Sequence, residues 1–287
     1  MKSPLPRRTV LRSLACAAAW SAWPAWPQAA PERNSYSLSV VPQFPASEIH
    51  RDWTPLLERL AKDTGITLSM TLSANIPRFE ADLLDGHPDF AYMNPYHQVM
   101  AARAQGYIPL VRSSKSLSGI LVVRKDSPIA SVRELDGKEV AFPAPNAFGA
   151  SLWMRALLAE RERINIKPVY VQTHSNVYRH VIRGKAAAGG GINSTLLQEQ
   201  PEVQSDLRVL LDTPGAAPHP LSAHPRVPAR VQQLVASALL SLTADAAGQA
   251  LLKDVFGGVP VRADYARDYR PLEQFKLEKY VVTDTPG

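Results

Sequence analysis

The 287-residue chain holds a single cysteine, Cys16, so no disulfide framework and no cysteine metal site can form within one copy. No carboxylate precedes Glu32. After residue 30 no apolar run is long enough to span a bilayer as a helix. There is no G-x-S-x-G elbow, no H-E-x-x-H pair and no G-x-G-x-x-G loop, because Gly189-Gly190-Gly191 lacks that spacing. His219 and His224 stand five apart in a proline-rich stretch, which suits neither one helix face nor a metal pattern; they read as exposed loop histidines. No repeat of fixed period and no low-complexity tract is found. With no nucleophile and base, no acid pair and no metal set, the expectation is a protein that is not an enzyme and needs no cofactor.

What is present begins with Lys2, Arg7, Arg8 and Arg12, followed by an apolar stretch from Ser13 to Trp23 and small residues near Ala29 and Ala30. A basic front, a short apolar middle and a small-residue end make a secretory signal over residues 1–30. Pro24 and Pro27 break the stretch, which is too short to anchor a membrane. Arg7-Arg8-Thr-Val-Leu-Arg12 also fits the twin-arginine export pattern. Export to the periplasm is the expectation. The formal charge of +6 is then largely a leader effect: without those four cations, 28 Lys+Arg face 26 Asp+Glu. A balance that even argues against nucleic acid as a partner.

The remaining chain of about 255 residues can bury a large core. Tyr36 to Val41 alternates like a strand, and Ile49, Trp53, Leu56, Leu57 and Leu60 recur at helical spacing up to Gly65. Strands are expected at 66–72, 89–93 and 107–112, with helices over 79–84 and 96–104 between them. A polar crossing at 112–119 opens a second set, with strands at 120–124, 139–142, 167–172, 186–192 and 207–211. Helices are expected there at 150–161 and 177–183. Beyond Asp212 come five prolines between 214 and 228, then helical stretches at 229–242 and 244–255. The alternation predicts an α/β protein with two mixed, mostly parallel sheets. Two sets, one polar crossing and a proline-rich return predict two lobes, 31–114 with 213–287 and 115–212, joined by two strands with a ligand cleft between them.

The phrases Trp53-Thr-Pro-Leu-Leu-Glu-Arg-Leu-Ala-Lys-Asp-Thr-Gly65, Gly86-His-Pro-Asp-Phe-Ala-Tyr92, Ala144-Pro-Asn-Ala-Phe-Gly149, Thr173-His174 and Val261-Arg-Ala-Asp-Tyr-Ala-Arg-Asp-Tyr269 stand in order along the chain. Together they resemble the periplasmic binding proteins of phosphate/phosphite/phosphonate importers. That resemblance implies a type II periplasmic-binding-protein fold that closes, as a monomer, on a small anion and delivers it to the membrane permease of an ABC importer. Docking onto a membrane sensor or histidine kinase would use the same lobes and stands as the alternative.

Candidate ligand-binding residues fall in four places. The turn Asn146, Ala147, Phe148, Gly149, Ala150 and Ser151 joins a strand to a helix, so free N–H groups and the positive end of the helix dipole face the cleft. Asn146 also reads as a helix cap. The resembled family carries hydroxyls in this turn where Ala147, Phe148 and Gly149 stand, which leaves backbone donors and Ser151. Tyr92, Asn94 and Tyr96 follow the third strand; a tyrosine brings an apolar face and one hydroxyl. His174 matches the family's second-lobe histidine and can donate to an anion. Asn193 follows the glycine triplet, whose small residues allow close backbone approach. The family's acid near that triplet is replaced here by Ala187.

Overall fold

The computed structural model describes residues 33–282. The expected leader over 1–30, with Cys16 in it, lies outside them. The first sheet contains six strands in the order β11-β4-β10-β3-β1-β2. These are β1 Ser35–Val40, β2 Thr67–Thr71, β3 Phe90–Tyr92, β4 Ile108–Ser113, β10 Pro220–Ala223 and β11 Pro260–Arg262. The second runs β7-β6-β8-β5-β9. Its members are β5 Gly119–Arg124, β6 Glu139–Phe142, β7 Lys167–Tyr170, β8 Ala188–Ile192 and β9 Leu207–Asp212. One sheet is thus built wholly from 119–212, and the other from the chain on both sides of that segment. This is the two-lobed α/β arrangement.

Both sheets are mixed, as expected, with parallel and antiparallel ladders in nearly equal share rather than parallel ones in the majority. The β1–β2, β1–β3, β6–β7 and β6–β8 ladders are parallel; those made by β5, β10 and β11 are antiparallel. Of these, β5 and β10 enter their sheets directly from the connections between the lobes, with no helix between them and the preceding strand. β10 was hidden among the prolines of the return. Pro220 is its first residue, a position where a missing N–H is tolerated.

Helix α1 (Ala46–Thr64) buries Ile49, Trp53, Leu56, Leu57 and Leu60 as one stripe, and ends at Gly65 in the left-handed region, φ 72°. Its stripe packs on the first sheet with α8 (Ala229–Ser241) and α9 (Ala246–Phe256), around Leu38, Val111, Val235 and Leu252. In the second lobe, Leu121, Val140, Phe142, Met154 and Leu158 form the core under α4 (Trp153–Glu160). The lobes are connected twice, and the connections pair: the Leu117 N–H donates to Ala216 O at 2.9 Å and the Ala216 N–H to Leu117 O at 2.8 Å. Gly119 and Thr213 extend the pairing. Among the described residues no single helix is long and apolar enough to cross a membrane.

Candidate functional site

The turn that the sequence singled out is a wide π-helical turn, Phe148–Leu152, running straight into α4. Its cap residue is Ala147, whose side chain makes no capping bond, and not Asn146. The first-turn N–H groups of Phe148, Gly149 and Ala150 have no intrahelical acceptor, as at any helix start. Glycines seat this turn against the second sheet. A Cβ on Gly119 would lie 2.1 Å from the Gly149 carbonyl oxygen, and one on Gly190 would lie 2.0 Å from that of Ala150. The glycine triplet therefore permits backbone-to-backbone contact under the turn.

Ala147, Phe148, Gly149 and Ala150 line a small compartment with Asn94 and His174, closed by Val41, Ile76 and Ile192. Its volume is about 10 Å³, room for one water. Asn94 reaches it from the start of α3 (Pro95–Gln105), where its Oδ1 accepts from the His97 N–H at 2.7 Å. Its Nδ2 donates across the lobes to Asn146 O at 3.3 Å. His174 begins α5 (His174–Ile182), three residues earlier than the apolar spacing suggested, because Thr173 caps that helix by accepting from the Asn176 N–H. The His174 N–H donates to Gln43 O at 3.3 Å, and its Nδ1 lies 3.3 Å from Thr195 Oγ1. Burial lowers the His174 pKa to about 3, so the imidazole is neutral near pH 7.

A larger chamber of about 270 Å³ adjoins the compartment, sharing Val41, Gln43, Ile192 and His219 with it. Tyr92 and Asn193 line the chamber. The Asn193 amide is engaged by the connection between the lobes: Oδ1 accepts from the Ser118 N–H at 3.2 Å and Nδ2 donates to Ser116 O at 3.4 Å. Tyr96, Asn146 and Ser151 line neither cavity. Tyr96 belongs to the apolar core beside α2 (Ile76–Leu84), and Ser151 Oγ accepts from Arg155. The Asn146 Nδ2 donates to both Glu80 carboxylate oxygens, at 3.1 and 2.8 Å, and to Val282 O, while Oδ1 accepts from the Val282 N–H.

Two residues escaped the sequence reading. His219, expected in an exposed loop, is only 5% exposed and stacks on Tyr92 with ring centres 5.6 Å apart. It is held there because β10, which starts at the next residue, Pro220, enters the first sheet. Glu80 was legible in part: it shares a helix stripe with Ile76, Phe79 and Leu83, a buried place for an acid. Burial raises its pKa to about 7 against the opposing hydrogen bond from Asn146.

The family model described as "ABC transporter, phosphonate, periplasmic substrate-binding protein" matches residues 38–273. No curated protein matches the sequence. Among solved structures, a binding protein component of an ABC phosphonate transporter from Pseudomonas aeruginosa is similar at TM-score 0.75 and 14% identity, over 85% of this chain and 86% of that one. A Prochlorococcus marinus protein in complex with methylphosphonate gives TM-score 0.75 and 16% identity, over 86% and 99%. A Xanthomonas citri protein bound to chloride ion gives 0.69 and 17%, over 87% and 100%.

Proposed function

The chain belongs to the periplasmic substrate-binding proteins of phosphonate ABC transporters, a non-enzymatic family, and on that footing we propose that it captures a small oxyanion, phosphonate-, phosphite- or phosphate-like, by closure of its lobes. The observation that carries this reading is the cleft itself: Phe148, Gly149 and Ala150, the first residues of a helical turn, line one compartment with Asn94 of the opposite lobe and His174. Backbone donors at a helix start hold an anion without needing the hydroxyls that this turn lacks. Closed, the compartment takes about one water. An oxyanion therefore enters an opened form, and the lobes, 31–114 with 213–287 and 115–212, close on it about their paired connections. The leader sends the protein to the periplasm, where as a monomer it hands its ligand to a membrane permease.

A thermal-shift panel of phosphate, phosphite, methyl- and aminoalkylphosphonates, sulfonates and small carboxylates tests the reading. A true ligand at a hundred times its Kd adds about 2.7 kcal/mol to stability. Absence of a shift with every oxyanion would sink it. His174→Ala should weaken the ligand that binds; unchanged affinity removes His174 from the site.

A further inference from the structure

We propose that the chamber and the compartment beside it are one two-part site, whose ligand carries its compact anionic group on a flat aromatic or heteroaromatic body. The anionic head follows from the oxyanion reading above; the body follows from the chamber.

One wall of the chamber is a cluster of rings. Trp53 and Tyr92 meet edge-on with centres 5.0 Å apart, and Phe256 lies 5.6 Å from Tyr92. The facing wall is the polar start of α6 (Asn193–Leu197), with Ser194 exposed on it. An aromatic wall opposite a wall of amides and hydroxyls favours a planar guest with polar edges over a bare alkyl chain. The mouth carries Asp52 and Asp254 against Lys115 and Lys253, a balance that asks for no net charge on the body. An ion as small as methylphosphonate would leave the ring wall against water, whereas an attached ring covers it.

His219 joins the two spaces. It is nine-tenths buried and lines both cavities, and its Nε2 has no hydrogen-bond partner among the described residues. A buried polar nitrogen in that state is costly unless something meets it. A ligand whose head lies at the turn and whose ring lies in the chamber passes directly beside it and supplies that partner.

Calorimetric titration of the purified protein with methylphosphonate, hexylphosphonate, phenylphosphonate and phenol tests the proposal. Phenylphosphonate should bind at least about tenfold tighter than methylphosphonate and tighter than hexylphosphonate, with no measurable binding of phenol. Ser194→Trp, which narrows the chamber from an exposed position on its wall, should bring the ratio of phenylphosphonate to methylphosphonate affinity down to about one. Equal affinities for methyl- and phenylphosphonate would overturn the two-part site while leaving the oxyanion reading standing, and hexylphosphonate equal to phenylphosphonate would overturn the planar body. If phenol alone bound, or nothing did, both would fall.

Discussion

The lobes meet along two edges that are built in opposite ways. At one edge the C-terminal segment crosses from the first lobe onto α4. Arg155 donates to Tyr280 O at 2.7 Å, Tyr280 and Lys279 both bond Glu160, and Trp153 packs on Phe275 with ring centres 4.9 Å apart. Asn146 completes that edge by tying Glu80 to Val282. At the other edge lie the chamber, His219 with a ring nitrogen that has no partner among the described residues, and a backbone bond from His174 to Gln43. The first edge spends its polar groups on each other and acts as a clasp; the second leaves the buried His219 Nε2 without a partner among the described residues.

The strongest way to break this division is to disturb the backbone contact beneath the turn, on which both edges depend. Gly190→Ala would set a Cβ 2.0 Å from the Ala150 carbonyl oxygen and 2.5 Å from the Phe142 ring. Neither can yield without moving the sheet or the turn. We expect a loss of upwards of about 3 kcal/mol in urea unfolding, with weakened oxyanion binding in the fraction that folds.

Asn146→Ala strikes the clasp alone. It strips the buried Glu80 carboxylate of its donor and leaves both Val282 backbone groups unpaired, for an expected loss of about 2–3 kcal/mol near neutral pH. Asn193→Ala at the other edge, half-exposed and bonded to the connection between lobes and to the adjacent Ser194 N–H, should cost about 1 kcal/mol or less. Equal losses in urea unfolding would mean that the edges do not differ as described.

Much of the fold was legible because it is local. The stripe from Ile49 to Leu60, the stop at Gly65 and the alternation through β1 follow from periodicity over a few residues. The antiparallel strands were less so: β10 reads as proline-rich loop until β3 and β4 are there to pair with it. In the candidate site, the turn stood out by its position before a helix, His174 by its match to the resembled family, and Asn94 by its place after β3. What no window of sequence carries is the partner of each group. Asn146 finds Glu80 and Val282, 66 and 136 residues away. His219 is buried only because the return enters the first sheet.

Acidity separates the two edges most finely, because burial shifts their ionisable groups in opposite directions. At the clasp, Glu80 is raised from 4.5 to about 7, so the folded protein holds a proton that the unfolded chain has released. The stability from this group is complete below about pH 4.5 and is lost as pH climbs through about 7. At the site edge His174 and His219 are both lowered from 6.5 to about 3 by burial, as is His97 behind them. Their stability is complete above about pH 6.5 and is lost as pH falls toward about 3. Glu80→Gln keeps an oxygen to accept from Asn146 but carries no charge. It should flatten the decline between about pH 5 and 8, raise stability at pH 8 by about 2 kcal/mol, and leave the acid limb untouched. Urea midpoints from pH 4 to 9 measure both limbs. Should the variant keep the alkaline decline, the clasp is not its origin; should it lose the acid limb as well, the two edges are not independent.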